Sequence, residues 1–103
     1  ATITAVEAVD LALARVLKVA DKCGVTVLIT ADHGNADEML EKDKKGNVAA
    51  RTAHSLNEVP FIIYSKNAYE VKEGSFGLAN VAPTVAKVFG IEPYASWEES
   101  IIK

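Results

Sequence analysis

Apolar residues recur at three- and four-residue steps through the start of the chain, at Val6, Val9, Leu13, Val16, Leu17 and Ala20. That spacing places them on one face of a helix. Thr4 followed by Glu7 has the spacing of a capping box, in which each side chain satisfies a free amide at the helix start. Gly24 suits the other end, because it accepts a left-handed backbone without a Cβ clash. The pattern then changes. Val25-Thr26-Val27-Leu28-Ile29-Thr30 is rich in β-branched residues with little polar alternation, as expected of a strand covered on both faces. Helix, short turn and buried strand make half of a βαβ unit. They predict an α/β fold with a partly parallel sheet flanked by helices.

A polar loop, Ala31-Asp32-His33-Gly34-Asn35-Ala36-Asp37, ends this strand. In open α/β sheets, ligands sit outside the carboxyl ends of the strands, so candidate chemistry is sought here first. Glu38, Glu41, Lys42, Asp43, Lys44 and Lys45 follow as a run of mixed charge, and Gly46-Asn47 suits a turn. Residues 38–51 therefore read as a solvated hairpin or loose loop, with Met39 and Leu40 as core anchors beneath it. Val59 to Tyr64 predicts a second strand, with Pro60 at its start or on an edge because it has no amide to donate. Asn80 suits the cap of a second helix running to about Phe89, with Pro83 in its first turn and Gly90 ending it. Pro93, Tyr94, Trp97, Ile101 and Ile102 form a tail expected to pack back. No repeat interrupts the chain, which reads as one unit with one excursion.

Composition narrows the function classes. Half of the 103 residues are hydrophobic and 24% are charged, which describes a soluble globular domain and excludes a multidomain enzyme. No apolar run approaches the ~20 residues that cross a bilayer, and no basic segment with an apolar run opens the chain, so neither membrane insertion nor export is expected. The net charge of −3 disfavours nucleic acid as a partner. Cys23 is the single cysteine, which precludes an intramolecular disulfide and suits a reducing, cytoplasmic setting. At the end of the first helix it reads as a small buried hydrophobe.

Both histidines, His33 and His54, fall in loops beside predicted strands. Asp32 and His33 are adjacent and can offer a carboxylate oxygen and an imidazole nitrogen to one cation if the loop leaves the extended conformation, a freedom that Gly34 would supply. Such donors suit Mn²⁺, Zn²⁺ or Fe, and the lack of cysteine ligands argues against a Cys-rich structural zinc site. The same residues also suit a plainer reading, with Asp32 capping the next turn and His33 and His54 as hydrogen-bonded loop residues. Asn35 and Asp37 fit either turn positions or supports of the metal loop. Thr52 and Ser55 flank His54 without a neighbour that would activate either as a nucleophile. Tyr94 and Trp97 read as packing residues.

The string Thr30-Ala31-Asp32-His33-Gly34-Asn35-Ala36-Asp37-Glu38-Met39, then Thr52-Ala53-His54-Ser55 leading to Val59-Pro60-Phe61-Ile62, resembles the cofactor-independent phosphoglycerate mutases of the alkaline phosphatase superfamily. Gly77-Leu78-Ala79-Asn80-Val81-Ala82-Pro83-Thr84-Val85 and Ser100-Ile101-Ile102 resemble that family's carboxyl terminus, so the likeness covers essentially residues 1–103. The resemblance implies the carboxyl-terminal segment of a metal-binding phosphatase domain. It implies interconversion of 3- and 2-phosphoglycerate in glycolysis and gluconeogenesis, through a phosphoserine and with two divalent cations. Mn²⁺ is the usual ion, Mg²⁺, Zn²⁺ or Co²⁺ the alternatives, and no organic cofactor is implied. By this likeness Asp32 and His33 bind the cation that activates the serine, and His54 binds the cation facing the substrate phosphate. Asn35 and Asp37 would support them. The family's serine, its remaining ligands and most basic substrate-binding residues have no counterpart in this chain, so the resemblance implies that these 103 residues alone are inactive. Two other readings stand beside it. One is a phosphopentomutase or phosphatase of the same superfamily. The other is a non-catalytic metal-binding or assembly module that self-associates through an exposed sheet edge.

Overall fold

The computed structural model describes residues 1–51 and 53–103; Thr52, singled out above, lies outside the described residues. The sequence reads as one unit, whereas the chain divides into two compact units, Ala1–Lys66 and Asn67–Lys103.

The first unit opens with helix α1, Thr2–Cys23. Its alanines, leucines and long charged residues favour this conformation and outweigh the β-branched Ile3, Val6, Val9, Val16 and Val19. The helix starts earlier than expected: Ala1 is its N-cap, no side chain caps it, and Thr4 and Glu7 lie inside the first turns. Gly24 ends it as predicted, at φ 66°, with its amide donating to Ala20 O. Ala20 is the one buried residue of α1, while Val6, Val9 and Val16 of the expected inner face stay half exposed or more. Cys23 is exposed, not buried, because the last turn carries it outward. Tyr64 Oη donates to both oxygens of Asp21, 2.9 Å each, and Lys66 Nζ donates to Asp21 O, tying the end of α1 to the last strand of the unit.

Strand β1, Val27–Thr30, pairs antiparallel with β4, Phe61–Tyr64, matching Val27 with Tyr64 and Thr30 with Phe61. The expected parallel pairing is absent among the described strands, and the reason is topological. A parallel neighbour needs a crossover, usually a helix. Between β1 and β4 the chain instead forms the hairpin β2, Leu40–Lys42, and β3, Val48–Ala50. Asp43 organises its turn by accepting from the amides of Lys45 and Asn47 at 2.8 and 2.9 Å, and Gly46 takes φ 83°. Those bonds to the ionised carboxylate, led by that from the Asn47 amide, hold the Asp43 pKa below the usual aspartate range. The hairpin is solvated as predicted, but Met39 and Leu40 are exposed, so they anchor no core.

The second unit contains a short 3-10 turn, Leu78–Asn80, that runs into helix α2, Val81–Val88. Pro83 occupies the first turn of α2, and Gly90 (φ 69°) follows its end, both as the sequence predicts. Asn80 is the N-cap residue but does not cap with its side chain. Its Oδ1 accepts from the Gly77 amide and its Nδ2 donates to Glu99 O, which fixes the tail. Thr84 Oγ1 donates to Asn80 O at 2.6 Å and accepts from the Ile101 amide at 2.8 Å. Ile101 and Ile102 are buried as expected, while Tyr94 and Trp97 form an edge-on pair at 5.3 Å and stay exposed. Among the described residues no helix is long and apolar enough to cross a membrane.

Candidate metal centre

The loop after β1 carries Asp32 and His33 at the carboxyl end of the strand, where the sequence places them. His33 Nδ1 lies 3.0 Å from Gly34 O. A carbonyl oxygen can only accept, so this hydrogen bond puts the ring hydrogen on Nδ1 and leaves the lone pair of the neutral ring on Nε2. His33 Nε2 in turn stands 3.5 Å from Asp32 Oδ1. Both atoms carry lone pairs and the Asp32 side chain is largely exposed, so the pair is open to a cation or to water. Two ligands of a tetrahedral ion bound at about 2.0–2.1 Å stand about 3.4 Å apart, so the gap suits a shared cation. An Nδ1–H held by a backbone carbonyl is also how metal-binding histidines are commonly oriented.

His54 arrives from the other side of the hairpin. Its ring stacks on that of His33, with centres 3.5 Å apart and planes within 9° of parallel. Thus two histidines twenty-one positions apart in the sequence share one surface. The structure brings His33 together with both Asp32 and His54. Among the described residues, no group of three or more His, Cys, Asp or Glu side chains converges to hold an ion. The donor set fits part of a metal centre, with Asp32 and His33 as one pair and His54 beside them.

Ser55 and the charged residues around the hairpin's base complete the arrangement. Ser55 N–H donates to Gly34 O at 2.8 Å, in an isolated antiparallel bridge. Ser55 Oγ donates to Asp37 Oδ2 at 2.7 Å, and Asn57 Nδ2 donates to the same carboxylate and to Glu38 Oε1. Arg51 pairs with Glu38 at 2.6 Å. The hydrogen bond from Ser55, then that from Asn57, holds the Asp37 pKa below the usual carboxylate range, because both favour the ionised form. Asn35 reaches Ala53 O at 3.4 Å. Gly34 does not take a positive φ, so backbone freedom is not its role. It is needed for space: a Cβ there would collide with Ser55 Oγ and stand 2.7 Å from Asp37 Oδ1. The sequence weighs Ser55 only as a nucleophile; the signal for a positioning role is its place beside His54, since neighbouring side chains alternate between faces at a β-bridge.

A cleft of about 640 Å³ opens beside this loop, lined by the start of α1, by His33 to Asp37 and by Glu58 to Pro60. Its wall is mainly apolar and, among the described residues, includes no lysine or arginine.

The sequence pattern of the metalloenzyme superfamily matches residues 1–93. A Leptospira interrogans protein named "Probable 2,3-bisphosphoglycerate-independent phosphoglycerate mutase" is 40% identical over 114 aligned positions, covering all of this chain and 21% of its own length. The 2,3-bisphosphoglycerate-independent phosphoglycerate mutase of Pseudomonas putida is 46% identical over 92 positions, covering 89% of this chain and 17% of its own. A crystal structure of Leishmania mexicana phosphoglycerate mutase at low cobalt concentration superposes with a TM-score of 0.87 at 36% identity. It covers 98% of this chain and 21% of that one. The chain thus spans about a fifth of the length of the curated relatives it matches.

Proposed function

Since this chain belongs to the metalloenzyme superfamily, we propose that it is the carboxyl-terminal part of the phosphatase domain of a cofactor-independent phosphoglycerate mutase. The observation that carries this reading is the His33–His54 stack beside Asp32, in a chain whose relatives carry that name. The substrates are the small phosphorylated acids 3- and 2-phosphoglycerate, exchanged through a phosphoserine in the glycolytic pathway of the cytoplasm.

Asp32 and His33 would hold one divalent cation and His54 a second, with Mn²⁺ preferred. Bound there, the two ions supply a lowered pKa for the serine hydroxyl and neutralisation of phosphoryl charge. The chain's own groups orient the donors. Gly34 O holds His33 Nδ1–H, so Nε2 is presented as a ligand. Among the described residues the cleft lining includes no lysine or arginine, so at this cleft the ions would supply the charge opposing a phosphate.

The test is an assay of the full-length protein carrying this segment, with Mn²⁺, on phosphoglycerates and on pentose phosphates. Phosphoglycerate turnover, abolished by Asp32→Ala or His54→Ala, is expected, and the 103-residue chain alone is expected to be inactive. Turnover of pentose phosphates alone, or robust turnover by the 103 residues, would overturn the reading. The exposed apolar face of α1 favours one other reading, an assembly module that self-associates. Sedimentation of the chain as a strict monomer over a wide concentration range would eliminate it.

A further inference from the structure

Ser55 is 2% exposed, although its sequence neighbours His54 and Leu56 are exposed. Ser55 bridges Gly34, and at a β-bridge neighbouring side chains alternate between faces, so a buried Ser55 places the exposed His54 on the other side. Both hydrogen-bond donors of Ser55 are engaged. Its amide donates to Gly34 O and its hydroxyl to Asp37 Oδ2. Gly34 O also accepts from His33 Nδ1. One carbonyl therefore registers the His33 ring and, through the next residue, the segment that bears His54.

We propose that Ser55 and Asp37 are positioning residues, a latch whose hydrogen bond sets the His54 ring over His33 and so fixes the spacing of the two imidazole donors. The metal-binding role of those donors rests on the function proposed above; the latch itself rests on the geometry of the loops. Neither Ser55 nor Asp37 need touch an ion or substrate. Removing the hydroxyl or the carboxylate frees the 53–57 segment to rotate, and the two rings part. Asp37 is exposed, so its substitution tests the latch without opening a buried site.

The experiment uses histidine-ring NMR and Co²⁺ absorption on the full-length protein that carries this segment. Stacked imidazoles shift each other's ring protons upfield. The wild-type protein and Ser55→Thr, which keeps the hydroxyl, are expected to show that shift for both His33 and His54. In Ser55→Ala and Asp37→Ala the shifts should collapse towards free-histidine values, with the β1–β4 amide signals retained. Co²⁺ affinity should fall about 10- to 100-fold in both alanine variants, as for loss of groups that orient metal ligands. Unshifted rings in the wild type, or shifts that survive in either alanine variant, would overturn the latch. Stacked wild-type rings that take up no Co²⁺ would overturn the metal reading and leave the latch standing. Co²⁺ affinity equal in all four proteins would overturn the latch and leave the metal reading standing.

Discussion

Two buried hydroxyls join distant segments in this molecule, and they work in different surroundings. Thr84, fully buried, donates to Asn80 O and accepts from the Ile101 amide, beside the buried Ile101 and Ile102. Ser55, 2% exposed, donates to a carboxylate that is itself exposed, next to two loop-borne histidines. Around Thr84 the hydroxyl accompanies apolar burial, and the ensemble closes a tail onto a helix. Around Ser55 the described buried hydrophobic residues Ala20, Ile101 and Ile102 are not its partners, and its hydrogen bonds run to Gly34 and Asp37. The same chemical group thus serves cohesion in one unit and aim in the other. Loops that are held by hydrogen bonds and left open to solvent are where binding groups are usually found.

The strongest way to break the comparison is Ile102→Ala. Ile102 is 2% exposed, and truncation of a buried aliphatic residue costs about 2–5 kcal/mol. Denaturation of the second unit, followed by the fluorescence of Trp97, should shift accordingly, while the histidine stack is unchanged. A parted stack in this variant would contradict the division of labour. Gly34→Ala is the counterpart in the first unit. Its Cβ meets Ser55 Oγ and Asp37, an overpacking that costs roughly 1–3 kcal/mol. Faster hydrogen exchange in β1 and β4, with loss of the stack, is expected, and unaltered Trp97 denaturation.

Acid sharpens the contrast with a smaller effect. The Asp37 pKa is lowered in the folded chain, chiefly by the bond from Ser55 and then that from Asn57. Its contribution is therefore present above the usual aspartate value and is lost as the pH falls through the depressed one. Ring-proton shifts recorded down that range should show the histidines separating while the environment of Trp97 holds. The reverse order of events would refute the assignment of polar control to the first unit. Smallest of all is Lys103→Ala, which removes an exposed pair with Glu70. Exposed pairs contribute about 0–1 kcal/mol, so denaturation should barely move. A large shift would mean that surface charge, not apolar burial, holds the tail.

Much of this was legible in the residues. Gly24 and Gly90 mark helix ends because a left-handed turn is a local demand. The charge run with Gly46-Asn47 gave a solvated hairpin, and Asp32, His33 and His54 drew attention by their chemistry. What the sequence hid depends on neighbours distant along the chain. The pairing of β1 with β4 follows from the route taken between them, which no periodicity in either strand records. Met39, Leu40 and Cys23 are apolar enough for a core, yet each is exposed, since burial needs a covering element as well as hydrophobicity. Ser55 is legible only as a failed nucleophile, because its role lies in Asp37, eighteen positions away, and in Gly34, whose missing Cβ makes room for it.

The clasp at the foot of the β2–β3 hairpin has a consequence for how the chain tolerates change. Glu38 with Arg51, and Asp37 with Ser55 and Asn57, join the two stems before the hairpin begins. Everything distal to that knot is solvent-facing, and its turn rests on Asp43, Gly46 and Asn47. Alterations at the tip are mechanically insulated from the imidazoles, as exposed loop tips generally accept insertions. The tip is thus a ready graft point for a fluorophore or an affinity peptide.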